Sequence, residues 1–333
     1  MDKVRVGVVG TGRIGKVHIQ NLVNRIRNVE VVAVADIMVE QSKEWLEDIG
    51  ITTMYSDYKK IIEDSSIDAV FVCSSTDTHS QISYEAIKSG KHVFCEKPID
   101  YDIDRIKMVM DAVDEAGVKF QVGFNKRFDR NFKKVFDAVR DGSVGVPHVI
   151  KLTSRDPALP PIEYIKVSGG IFVDMMIHDF DMMRYLAGEE VVEVFASGSV
   201  LIDPAVGEAK DVDTAIVQLK FESGALGVID NSRQAVYGYD QRAEVFGSKG
   251  CIISENETPN LTSLFNEDAV VREKPLYFFL ERFNDAYINE ASVFINCVIE
   301  DKPVPVGAID GLKPVLIAIA AQKSLDTGKP VKL

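Results

Sequence analysis

Basic residues are in short supply: 38 Lys and Arg stand against 51 Asp and Glu, leaving a formal net charge of −13 over 333 residues. A surface of that sign repels phosphodiesters and anionic headgroups, so nucleic-acid and membrane-surface partners are not expected. Cys73, Cys95, Cys251 and Cys297 are scattered without a C-x-x-C pair. They read as core thiols in a reducing compartment rather than a disulfide frame. The five histidines show no H-x-x-x-H spacing, and no D-x-D-x-D-G loop is present, so no metal site is expected. No apolar run approaches the roughly 18 residues that span a bilayer. An apolar strand begins almost at once, without a basic and apolar leader, so the expectation is a cytoplasmic protein with no membrane anchor. Repeats and low-complexity tracts are also missing.

What is present begins at Val4. The run Val4-Arg-Val-Gly-Val-Val-Gly-Thr-Gly-Arg-Ile-Gly15 joins a strand-like pattern to a helix-like one (Ile14, Val17, Leu22, Ile26) through Gly10, Gly12 and Gly15. In that setting G-x-G-x-x-G is a phosphate-binding turn. The first glycine permits the bend, the second lets backbone approach a pyrophosphate, and the third lets helix pack on strand. Asp36 closes the next apolar run, Val31-Val-Ala-Val-Ala35, where a carboxylate accepts hydrogen bonds from ribose hydroxyls. Ile37 follows it, so no neighbouring arginine awaits a 2′-phosphate, and NAD is favoured over NADP.

A chain of this length predicts two domains. Up to about residue 123, apolar strands near 4–9, 30–35, 67–73, 92–95 and 119–124 alternate with helical periodicities. This predicts a doubly wound parallel Rossmann sheet over residues 1–123. In residues 124–333 the pattern shifts to period 2 near 148–154, 191–202, 213–221, 225–232 and 242–246, with a hairpin turn at Gly247-Ser-Lys-Gly250. The alternation of Thr214, Ile216, Gln218 and Lys220 with Ala215, Val217, Leu219 and Phe221 buries one sheet face only. Helices are predicted near 174–187 and 281–299, the latter with a seam of Phe283, Tyr287, Ala291, Phe294 and Val298. The second domain is therefore an open, mostly antiparallel sheet with helices on one face. Its free face favours a homo-oligomer, a dimer or tetramer.

Two clusters carry chemistry. Glu96-Lys97-Pro98 ends a predicted strand and places a cation at the carboxyl edge of the parallel sheet, where open α/β sheets bind ligands. A solvated lysine ahead of a helix-start proline has the same spacing. In Gly169-Gly-Ile-Phe-Val-Asp174-Met-Met-Ile-His178-Asp-Phe-Asp181, a continuous helix would put Asp174, His178 and Asp181 on one face. An imidazole beside carboxylates suits a general base, although a helix-packing histidine gives the same pattern. No nucleophile motif accompanies them.

Taken together, G-T-G-R-I-G, E-K-P and G-G-x-x-x-D-x-x-x-H resemble the Gfo/Idh/MocA oxidoreductases over nearly the whole chain. Gly123-Phe-Asn-Lys-Arg-Phe-Asp129, Ser154-Arg-Asp-Pro157 and Val236-Tyr-Gly-Tyr-Asp240 are most similar to the inositol 2-dehydrogenases of that family. The resemblance implies Lys97, Asp174 and His178 as catalytic residues. It implies a cofactor groove lined by Gly10, Gly12, Arg13, Ile14, Gly15, Asp36, Ser74, Thr76, His79 and Glu96. Asn125, Arg127, Arg155, Asp156, Tyr237 and Tyr239 are substrate-side candidates. The implied activity is oxidation of a cyclic polyol, myo-inositol foremost, by NAD. Open alternatives are scyllo-inositol, an aldose, an NAD-using glycosidase, and a non-catalytic NAD-binding regulator.

Overall fold

The computed structural model describes residues 3–333. It divides into two units, Met1–Phe128 with Asp285–Val315, and Asp129–Asn284 with Leu316–Leu333. The boundary thus lies five residues beyond the sequence-based division at 123/124, and a late segment of the chain returns to the first unit.

In the first unit, β1 (Val4–Val9), α1 (Arg13–Asn24), β2 (Val29–Ala35), α2 (Lys43–Asp48), β3 (Met54–Tyr55), α3 (Lys59–Glu63), β4 (Ala69–Val72), α4 (Thr76–Lys88), β5 (His92–Cys95), α5 (Ile103–Ala116) and β6 (Phe120–Val122) follow in sequence. The strands form one parallel sheet in the order β3-β2-β1-β4-β5-β6. Near-continuous apolar runs such as Val4–Val9 and Ala69–Val72 explain why both faces are covered. Strand order reverses between β1 and β4, which makes their carboxyl ends the crevice where such sheets take nucleotides. Five of the six strands match the sequence expectation; β3 is two residues long and shows no period.

The second unit opens with α6 (Arg130–Arg140), β7 (Pro147–Arg155), α7 (Ile162–Ile165), α8 (Gly170–Asp174), α9 (Ile177–Ala187), β8 (Val191–Ser199) and α10 (Pro204–Glu208). It continues through β9 (Thr214–Phe221), β10 (Leu226–Ser232), β11 (Asp240–Gly247), β12 (Gly250–Ser254), β13 (Ser263–Phe265), β14 (Val270–Arg272) and α11 (Phe279–Arg282). Seven strands run β12-β11-β7-β10-β9-β8-β15, where β15 is Val331–Lys332. Every pairing is antiparallel except β10 with β7. On β9, Ala215, Val217, Leu219 and Phe221 are buried while Ile216, Gln218 and Lys220 are exposed, as the period predicts. Helices α6 and α9 cover the apolar face.

The chain then re-enters the first unit. The expected seam on α12 (Asn284–Ile299) is real, but Ala291, Phe294, Ile295 and Val298 join the core of the parallel sheet. The Phe294 ring stands edge-on to Phe71 and Phe94, at 5.5 and 5.9 Å, and those two stack at 4.7 Å. A last helix, α13 (Ala308–Thr327), was not read from sequence, because its apolar residues circle the axis rather than forming a stripe. Truncating a buried aromatic leaves a cavity as well as losing transfer energy. Phe294→Ala is therefore expected to destabilise the protein by about 3–5 kcal/mol, read as a fall in the urea midpoint without a change in slope.

Candidate functional site

The nucleotide turn is built from missing side chains. Gly10 has φ +104°, and a Cβ there would lie 2.4 Å from the Cys73 carbonyl oxygen; one on Gly15 would lie 2.1 Å from the Gly10 carbonyl oxygen. Both glycines are needed for α1 to reach the ends of β1 and β4. Gly12 is different: a Cβ there would meet nothing within 4 Å. It caps α1 without a side-chain hydrogen bond, and no acidic residue occupies the first turn. Open space beside an α1 N-terminus free of acidic side chains fits a pyrophosphate. Arg13 and Ile14 open that helix.

Asp36 stands at the end of β2. Its Oδ2 accepts the Thr11 amide at 2.6 Å and the Thr11 hydroxyl at 2.9 Å, and its Oδ1 accepts the Met38 amide at 2.8 Å. Burial pushes this carboxyl up, but the three hydrogen bonds outweigh it and leave Asp36 below the usual carboxylate range. Asp36 is therefore a fixed anion at the end of β2, beside an exposed Ile37.

On the far side of the crevice, the Ser74 hydroxyl bonds Thr78 at 2.7 Å and Thr76 opens α4. His79 and Glu96, which the resemblance places in the cofactor groove, are both buried. His79 is buried, with Nδ1 2.8 Å from the Pro98 carbonyl and Nε2 3.0 Å from the Ser74 carbonyl. It ties the loop after β4 to the loop after β5. Glu96 turns inward to His18, Oε1 to Nε2 at 2.7 Å, while its Oε2 accepts the Lys97 amide at 3.3 Å. Lys97 thus sits just past the carboxyl end of β5, on a cis bond to Pro98. Asn125 is buried in a 3-10 turn, and Arg127 pairs with Asp310 at 2.9 Å.

In the second unit, the expected single helix through Asp174, His178 and Asp181 is replaced by two. Gly169 and Gly170 take φ of +86° and +80° and start α8, whose Ile171 amide donates to Asp211 Oδ1 at 3.0 Å. Asp174 ends α8, and α9 restarts at Ile177 with His178 second. Asp174 is held independently: its Oδ1 accepts the Tyr164 hydroxyl at 2.6 Å and its Oδ2 accepts Arg233 Nη1 at 3.1 Å. Arg233, 1% exposed, also reaches Asp211 at 3.3 Å. His178 is half-buried, and next to it Asp179 accepts the Asn231 amide at 2.7 Å. Burial, then the nearby Asp156 and Asp179 carboxylates, push the Tyr239 phenol well up.

Arg155 and Tyr237 do not join them. Arg155 alternates with the buried Ser154 and bonds Asp230 and Tyr237 on the open sheet face, and Tyr237 passes its own proton donor to Asp240 at 2.6 Å. The Arg155 guanidinium is pushed further up, chiefly by Asp230. Sequence reasoning missed Tyr164, Arg233 and Asn231, which hold Asp174 and Asp179. No local pattern marks a buried arginine that serves two distant carboxylates.

Residues 4–124 match the family model described as "Oxidoreductase family, NAD-binding Rossmann fold", and residues 132–253 match the GFO/IDH/MocA C-terminal domain. The chain belongs to the GFO/IDH/MocA oxidoreductases. Among its relatives in this family, the myo-inositol 2-dehydrogenase of Thermotoga maritima is 51% identical over 330 residues, covering 99% of this chain and 98% of that one. The inositol 2-dehydrogenase of Rhizobium meliloti is 42% identical, with 99% of each chain covered. The scyllo-inositol dehydrogenase of Lactobacillus casei, solved with bound NAD(H) and scyllo-inositol, superposes with a TM-score of 0.93 at 30% identity, again covering 99% of each chain. Among the described residues, no helix is long and apolar enough to cross a membrane.

Replacing Asp36 by Ser and Ile37 by Arg removes the anion and supplies a phosphate partner. The ratio of kcat/KM for NAD over NADP is expected to fall about 10- to 100-fold, the worth of one hydrogen bond to a charged group. Kinetics with both cofactors check it.

Proposed function

We propose that this chain oxidises a ring hydroxyl of an inositol, myo-inositol foremost, with NAD as the hydride acceptor. What carries the reading is the presence, in a family member with a nucleotide turn shaped for a dinucleotide, of His178 at the head of α9 and of an Asp174 fixed by Tyr164 and Arg233. When bound, NAD supplies the redox step. The protein supplies position and charge. His178 takes the hydroxyl proton of the carbinol, and the Lys97 ammonium steadies the oxygen as it becomes a carbonyl. Asp174, its two oxygens partly used, orients the ring by accepting a hydroxyl. Asp156 and Tyr239 are the substrate-side candidates of the second unit, and Asn125 and Arg127 those of the first.

Scyllo-inositol is the second reading, favoured by the bound ligand of the Lactobacillus casei structure. The two substrates differ at a single hydroxyl, which changes only a few polar contacts. The presence of Lys97, Asp174 and His178 together weighs against a non-catalytic regulator. A transient redox glycosidase releases no NADH.

The open sheet face supports self-association. Ile216, Leu226, Phe246 and Ile253, each about half exposed, lie beside Arg155, Asp230 and Arg242. A second copy of the same face satisfies both sets, as a two-fold interface requires. Arg155 and Tyr237 then serve assembly rather than substrate, and the enzyme is a cytoplasmic homo-oligomer.

NADH formation followed at 340 nm is expected with inositols ahead of aldoses, and to be weak with NADP. His178→Ala should lower kcat by about 10²- to 10⁴-fold with little effect on NAD affinity; undiminished turnover removes the assigned base. Phe246→Glu is expected to give a smaller species by light scattering.

A further inference from the structure

The hairpin of β13 and β14 forms a sheet of its own, outside the seven-stranded one. Every residue from 259 to 274 is exposed except Ser263, which is half-buried. The ribbon is nevertheless well made. At its tip Asn266 Oδ1 accepts the Asp268 and Ala269 amides at 3.0 and 2.9 Å, and across the strands Arg272 Nε donates to Ser263 Oγ at 3.2 Å. The register pairs Leu264 with Val271 and Phe265 with Val270. Opposed residues share a face and successive ones alternate, so each face of the ribbon presents an apolar pair to water. With Leu261, these side chains expose from 51 to 96% of their surface.

A two-stranded ribbon is marginal in water unless something packs on it. An exposed ribbon ordinarily keeps one face polar, or sets a charge or a proline at the strand centre, and this one does neither. Five apolar side chains gathered at such exposure mark a contact surface. Where the arm is rooted indicates what meets it. The Leu276 amide donates to the Glu257 carbonyl at 3.0 Å, which closes the arm, and the Tyr239 amide donates to the Leu276 carbonyl at 3.0 Å. Asn256 Oδ1 accepts the Gln241 amide at 2.7 Å, and its Nδ2 donates to Asp240 Oδ1 at 2.6 Å. Asp240, opposite Arg155 at the end of β11, is the carboxylate to which Tyr237 and Arg242 also donate. The arm therefore springs from the polar cluster at the rim of the open sheet face, and its apolar surface continues that face.

We propose that residues 258–275 are an exchange arm that packs on a second copy of this chain and is matched by that copy's arm in return. The open face alone is a sparse interface, because its half-exposed Ile216, Leu226, Phe246 and Ile253 lie among charged side chains. The arm adds the contiguous apolar patch that the centre of a stable interface needs. A two-fold axis relates like surfaces, so the rotation that brings two open faces together also brings each arm to the rim of the other copy.

The proposal builds on the pairing of open faces read above, and two variants separate the two contacts. Leu264→Asp together with Phe265→Asp charges both faces of the ribbon and leaves the seven-stranded sheet untouched. Sedimentation over a dilution series is expected to show a dissociation constant raised about 100-fold or more, with the far-ultraviolet circular dichroism unchanged. A wild-type constant overturns the arm and leaves the open face standing. Dissociation of the arm variant but not of Phe246→Glu supports the arm and removes the open face as an interface. Hydrogen exchange on the wild-type protein needs no variant and decides the matter should the arm variant misfold. Amides of residues 261–272 are expected to exchange about 10-fold or more slowly in concentrated protein than after dilution below the dissociation constant. Equal exchange at both concentrations overturns the proposal. A wild type that is monomeric at every concentration overturns both contacts.

Discussion

A single backbone contact governs the nucleotide-binding unit. The carbonyl oxygen of Gly10 and the Cα of Gly15 come so near that no side chain fits between them. Because of that approach α1 lies flat on the sheet, its N-terminus open beside Gly12. One turn further along the helix, His18 is carried down to Glu96. Cofactor cradle and lysine support are therefore consequences of the same close packing. The turn does not merely tolerate a phosphate; it sets the depth at which the buried imidazole meets the end of β5.

The second unit solves a different problem: it must fix a carboxylate and present an imidazole without a continuous helix. Two left-handed glycines and the Asp211 carboxylate begin α8, the chain restarts at α9, and Arg233 crosses from the end of β10 to grip Asp174. Asp174 is thereby oriented by charge from the sheet, and His178 by the helix. Burying a guanidinium costs several kcal/mol unless it is paired. Arg233 meets this condition with two carboxylates.

Much of this was legible in the chain. The glycines, Asp36 and the apolar strands were readable because each answers a local steric or solvation demand, with a fixed spacing. The alternation on β9 gave the covered and open faces for the same reason. The sequence pattern through Asp174 and His178 reads as one helix because nothing local marks the break at Met175–Met176, and the start of α8 is fixed by Asp211, some forty residues later. Strand parity puts Arg155 on the face opposite Ser154, but which of the two faces α9 covers is not legible in the chain. The resemblance implies Glu96 in the cofactor groove, and no local pattern shows that its carboxylate bonds a histidine 78 residues earlier. Long-range pairs of polar groups leave no periodic trace. The same holds for α13, whose all-round apolar surface gives no stripe.

The return of α12 to the first unit has a consequence for how the protein is made. When Phe71 and Phe94 leave the ribosome, the ring that completes their stack is still untranslated, and residues 129–284 of the second unit are synthesised before Phe294 arrives. The nascent parallel sheet waits with an aromatic wall missing, in the kind of exposed state that chaperones recognise. Closure of its core comes late in synthesis, although its strands are the first to be translated.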